Sequence, residues 1–214
     1  MKRNMTGIAL VAFVLVFAAM AISQSGMRKI FRGNGDNNRN FVTLESTGQL
    51  QSTLAMTSSF ECMADVRLDS IQDAPALELN VQINTLTTGN SGHDMEIFSA
   101  GFLDWKGATT ANFKLLDLAL SRNYALENEK AVPAAGRGVL TIGSMVDTVG
   151  VEVSFRYLAA NEVTAGRLPG DLLHLNGNIF FRLSDMGIMI PQEALLRLDD
   201  KIKLHFDAYT STQM

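Results

Sequence analysis

Apolar and polar residues alternate along much of this chain. In 77–84, Leu77, Leu79, Val81 and Ile83 alternate with Glu78, Asn80, Gln82 and Asn84. Four apolar side chains therefore share one face of a strand and four polar ones the other. The same period returns in Val149, Val151, Val153, Phe155 and Tyr157, and in Ile202, Leu204, Phe206 and Ala208. Leu173, Leu175, Ile179, Phe181 and Leu183 keep it around Asn176-Gly177-Asn178, which reads as a bend or bulge. Weaker runs at 41–46, 48–56, 60–67, 110–115 and 138–144 bring the count to about eight or nine strands. Their short connections suit antiparallel neighbours. One-sided strands must cover their apolar faces, either with a second sheet or by closing the sheet on itself. Helical crossovers of the length a parallel sheet needs are missing. The expected fold class is all-β with one or two short helices, an antiparallel β-barrel of about eight strands.

Two segments break the alternation. Met95, Phe98, Phe102 and Trp105 recur at steps of three and four, the spacing of one helix face. Ser91 is placed to cap that helix, with Asp94 in its first turn. Residues 115–128 read as a second helical or irregular segment before a turn at Pro133-Ala134-Ala135-Gly136.

The N-terminus has a different composition. Lys2 and Arg3 precede an uncharged apolar run from Gly7 to Ile22, the pattern of an export signal. Small residues at Ala19, Ala21 and Ser23 suit cleavage, while retention as a membrane anchor is the alternative. The expected organisation is 1–23 signal peptide or anchor, 24–40 polar linker, and 41–214 barrel, with a periplasmic or secreted location. Membrane contact would run through the N-terminal segment.

The chain carries 18 basic and 22 acidic residues, and losing residues 1–21 would leave 16 against 22. That balance, with no basic stripe, argues against nucleic acid as a partner. Cys62 is the single cysteine, so no intrachain disulfide can form, and its alternating surroundings mark it as a buried small side chain.

Catalytic and metal patterns are weak. His93, Asp94 and Glu96 would point in different directions from a helix, whereas paired ligands use three- or four-residue spacing. His174 and His205 fall on the polar parity of their strands. No nucleophile elbow or phosphate loop occurs. The acidic pair Asp199-Asp200 reads as a turn leading into a strand. The expectation is a protein that is not an enzyme and has no cofactor or metal.

In order along the chain, four segments resemble the YceI-like family. They are Asn80 to Leu86 followed by His93 to Leu103 and Ala111-Asn112-Phe113; Gly138-Val139-Leu140-Thr141-Ile142 followed by Val149-Gly150-Val151-Glu152-Val153; Leu183 to Ile188 with Pro191; and Asp199 to Leu204. The resemblance spans roughly 77–208 and no single motif in it is specific. It departs from the family pattern at His93-Asp94-Met95-Glu96, Gly107 to Thr110 and Ser144 to Asp147, and it lacks the family's early Trp and His signatures in 41–70. A divergent member is implied.

The resemblance implies a lipocalin-like barrel, exported, that holds an isoprenoid or fatty-acid-like amphiphile for transport or storage. The residues that would line its cavity are Val81, Ile83, Met95, Phe98, Phe102, Trp105, Leu140, Ile142, Val151, Val153, Phe155, Phe181, Leu204 and Phe206. The competing reading is a barrel filled by its own side chains and acting through its surface. A lumen below roughly 300 Å³ would be too small for a typical ligand site.

Overall fold

The alternation folds as one antiparallel sheet. The computed structural model describes residues 28–35, 40–97, 107–190, 192 and 198–214. Its strands are β1 (Arg28–Asn34), β2 (Phe41–Thr47), β3 (Ser52–Thr57), β4 (Phe60–Arg67), β5 (Ala76–Gln82), β6 (Thr110–Ala119), β7 (Ala131–Ile142), β8 (Met145–Leu158), β9 (Leu172–Arg182) and β10 (Lys201–Ser211). A 3₁₀ turn (Ile83–Thr85) and two short helices, α1 (Ser91–Ile97) and α2 (Glu162–Ala165), interrupt them. No helix among the described residues is long and apolar enough to cross a membrane.

Eight strands close the barrel in the order β1-β4-β5-β6-β7-β8-β9-β10 and back to β1, with β2 and β3 continuing beside β10. β1 and β2 both lie beside β10. β1 pairs with β4 from Arg28↔Arg67 to Asn34↔Glu61, and β2 pairs with β3 from Val42↔Thr57 to Thr47↔Ser52. β10 runs past both: residues Ile202 to Asp207 pair with β2, and only Ser211 reaches β1, at Arg32. The seam that closes the barrel is therefore one residue pair wide.

Two residues make the seam. Gly33 faces inward there, and a Cβ on it would stand 2.7 Å from the Tyr209 carbonyl and 2.9 Å from Thr210 Cγ2. Asn40, only 3% exposed, ties the end of β1 to β10: its amide donates to the carbonyls of Asn34 (2.8 Å) and Tyr209 (3.0 Å). Its oxygen accepts from the Tyr209 N–H (3.0 Å) and the Arg167 guanidinium (2.9 Å).

Several expectations change. The polar linker expected over 24–40 contains β1, a wall strand with fully buried Phe31. Its alternation is inverted: Lys29 takes an inward position while Ile30 is exposed. No bend occurs at Asn176-Gly177-Asn178, because pairing with β8 and β10 runs straight through it. Gly177 is instead required by packing, since a Cβ would lie 2.6 Å from Cζ of buried Phe206 and 2.5 Å from the Glu152 carbonyl. β6 extends to Ala119 through a register shift between Leu115 and Asp117, where a helical or irregular segment was expected. Pro133 lies within β7, paired with Ser154 and beyond the last β6 partner at Ala135. That stretch of β7 has no neighbour on one side, where a missing N–H does no harm.

Candidate functional site

The inner face follows from parity. Val81, Leu140, Ile142, Val151, Val153, Phe155, Phe181, Leu204 and Phe206 are buried on the inward side of their strands, and Ile83 is buried in the turn after β5. Met95 does not join them: it is 76% exposed on α1. Phe98, Phe102 and Trp105 lie outside the described residues. The structure thus brings ten of the fourteen candidates to the interior.

Among the described residues the space these side chains enclose is small. The void between Leu79, Val81, Ala111, Phe113, Leu140, Ile179 and Leu204 measures about 10 Å³, the scale of a single water. Phe31, Phe113, Phe155 and Phe206 all converge on this interior and are buried. Leu79, Phe113 and Ile179 were not among the candidates, although Leu79 shares the parity of Val81 on β5. Cys62 is paired with Leu79 in the same apolar layer, and burial pushes its thiol pKa up to about 12. An uncharged thiol at that depth is inert as a nucleophile.

A polar cluster closes one mouth. Lys29, inward on β1, forms an ion pair with Asp171 just before β9 and donates to the Tyr157 hydroxyl at 3.4 Å. The second Asp171 oxygen accepts the Ala160 N–H at 2.8 Å, and the Tyr157 ring meets Phe31 edge-on. Burial works against charge on both ionised partners, but their hydrogen bonds outweigh it. Lys29 holds its proton more firmly than a free lysine, and Asp171 sits below the usual carboxylate range. Burial raises the Tyr157 pKa, which keeps a neutral hydroxyl beside the pair. Lys29 escaped sequence reasoning because its strand lacks the expected alternation.

The remaining candidates have structural roles. Asn90, rather than Ser91, caps α1, accepting the N–H groups of Gly92 (3.0 Å) and His93 (3.3 Å). Asp94 accepts from the Thr87 hydroxyl, the Thr88 N–H and the Thr88 hydroxyl, which together hold it below the usual carboxylate range. His93 is exposed. His174 and His205 face outward on adjacent strands: His174 Nε2 lies 2.9 Å from Asp207, and His205 Nδ1 lies 3.1 Å from Asn178 Oδ1. Among the described residues no three His, Cys, Asp or Glu side chains converge as a metal site.

No protein-family model matches the chain, and no curated protein matches it by sequence. Solved structures do match its fold. BcnA of Burkholderia cenocepacia superposes with a TM-score of 0.62 at 14% identity, over 83% of this chain and 98% of that one. A polyisoprenoid-binding domain of Saccharophagus degradans, implicated in plant cell wall breakdown, gives 0.59 at 9%, over 86% and 98%. The YceI protein of Campylobacter jejuni gives 0.54 at 15%, over 71% and 80%. The chain has the YceI-like barrel fold.

Proposed function

We propose that this barrel binds an amphiphilic lipid, isoprenoid or fatty-acid-like, without catalysis, and carries or stores it. The observation that supports the reading most is the fold likeness to a polyisoprenoid-binding domain along 98% of that domain, joined to an inner face that is apolar apart from Lys29 at one end of β1. The small void among the described residues sets the mechanism: a tail must spread the walls, and the β1–β10 seam is the narrowest strand pairing in the barrel. Each methylene moved out of water contributes about 0.8 kcal/mol, hence roughly 4 kcal/mol per five-carbon isoprene unit. Parting the seam forfeits the Arg32–Ser211 pair, the Asn40 bonds that tie Asn34 to Tyr209 and the Lys29–Asp171 ion pair, at about 1 kcal/mol for each hydrogen bond. Packing between inward side chains gives way to packing against the tail. The charge-neutral N-terminal run behind Lys2 and Arg3 supports export to the periplasm or beyond, where such a carrier would meet membranes.

Native mass spectrometry of the purified full chain, with organic extraction, tests this. A co-purifying lipid, or uptake of farnesol or palmitate with added hydrogen exchange in β1 and β10, is expected. An empty barrel that takes up neither would refute the proposal.

The roughly 10 Å³ void favours a second reading, in which the interior stays filled and the protein acts as an interaction module through its surface. Under it, mass spectrometry finds no lipid while the outer face retains a partner.

A further inference from the structure

Two open depressions of about 600 and 570 Å³ lie end to end along the outer faces of β8 and β9. Asn176, Asn178 and Phe180 are successive outward positions on β9, and Ser154, Glu152 and Gly150 are their register partners on β8. The β6–β7 loop forms a side wall at Tyr124. From Asn176 to Phe180 the floor runs about 13 Å at the rise of an extended strand.

The floor combines three properties. Phe180 is 42% exposed, and a Cβ on the neighbouring Gly150 would find nothing within 4 Å, which leaves an open slot beside the ring. The two amides are fixed from behind by β10. Asn176 Nδ2 donates to Asp207 at 2.8 Å, and Asn178 Oδ1 meets His205 at 3.1 Å. His174 holds the other Asp207 oxygen. This presents Asn176 Oδ1 as an acceptor and Asn178 Nδ2 as a donor to the groove, with the Glu152 carboxylate and Ser154 hydroxyl beside them. Burial opposes charge on Asp207, but His174 and Asn176 outweigh it and keep it ionised and able to hold the amide.

From this arrangement we infer that the outer β8–β9 groove binds a short, neutral oligosaccharide. A pyranose presents apolar C–H faces that stack on an exposed ring and hydroxyls that both donate and accept, which matches Phe180 and the paired amides. Other occupants fit less well. A peptide added as a strand needs an unpaired sheet edge, and β8 and β9 are paired on both sides. A phosphate-bearing ligand would face Glu152 and Asp207 over the amides, and at the far end the cations Arg182, Lys201 and Lys203 are offset by Glu45, Asp147, Asp185 and Asp199. The site is independent of lipid binding, because it lies on the opposite face of the sheet.

The test is isothermal and NMR titration of the full chain with cellohexaose, maltohexaose and chitohexaose. Binding of at least one is expected. Phe180→Ala and Gly150→Val should each weaken it about tenfold or more through loss of the stacking face or its slot. Gly150→Val places a β-branched side chain in open space on a central strand, so its thermal midpoint should hold or rise, and farnesol uptake should be unchanged. Absence of binding to all three sugars, or binding that neither variant weakens, would overturn the inference.

Discussion

Replacing Asn40 by alanine tests how the barrel is closed. The side chain is almost wholly buried and makes four hydrogen bonds, two donated to the carbonyls of Asn34 and Tyr209 and two accepted from the Tyr209 N–H and Arg167. Truncation leaves the Tyr209 N–H and both carbonyls without this partner at a point where β1 and β10 share one residue pair. An unsatisfied buried group costs about 1–3 kcal/mol. Water entering the space would recover part of that, so a net loss of about 3 kcal/mol is expected. For a domain of this size the thermal midpoint should fall by roughly 6–12 °C. Urea unfolding measures the free energy, and native-state hydrogen exchange locates it. Amides of Ala208 to Ser211 and of β1 should exchange faster, while those of β5 to β8 should keep their protection relative to global unfolding. A loss below about 1 kcal/mol, or acceleration spread evenly round the barrel, would show that Asn40 does not hold the seam.

Three further outcomes follow from single side chains. Phe113→Ala empties space beside the roughly 10 Å³ void and should cost about 3–5 kcal/mol; a loss near zero in urea titration would mean that the interior is not sealed. Thr43→Val should stabilise by about 1 kcal/mol, because the buried Thr43 Oγ1 has no hydrogen-bond partner; a lower urea midpoint would contradict this. Asp171, depressed by Lys29 and the Ala160 N–H against the effect of burial, stabilises the fold above its unfolded pKa of about 3.9. That contribution is lost as pH falls through its lower folded value. Asp171→Asn should therefore cost about 1–3 kcal/mol at neutral pH, with the gap from wild type narrowing below about pH 4 in a urea series.

Legibility in the sequence followed how cleanly polarity alternates. The run at 60–67 coincides with β4, and the run at 77–84 overshoots β5 only at Ile83 and Asn84, which enter the 3₁₀ turn. β1 was hidden because its inward Lys29 is compensated from 142 residues away by Asp171, and its outward Ile30 is apolar. Gly177 looked like a bend because its reason, the tip of Phe206, comes from another strand. The same limit applies to the candidate site. Parity assigns nine of the fourteen lining residues to the inside, and Ile83 is buried in the turn, but free volume depends on how large side chains such as Phe113 and Leu140 from different strands fill the barrel. That is set by register between strands and leaves no trace in any one segment.

Under the proposed lipid binding, the small void among the described residues and the one-pair seam have a joint consequence for uptake. An open lumen would admit a tail through a mouth, but here one mouth is closed by Lys29, Tyr157 and Asp171, whose charges are better satisfied by one another than by an apolar chain. Lateral parting at β1–β10 also draws Lys29 on β1 away from Asp171, so the ion pair adds to the resistance of the seam, and it exposes the inner face of β1 at Phe31 and of β10 at Phe206 and Ala208. A seam loosened at Asn40 should then admit lipid faster at a cost in stability. An interior hollowed at Phe113 should change the affinity for the tail without changing how readily the seam opens. Uptake rate and retained lipid thus respond to different residues, which separates the gate from the container.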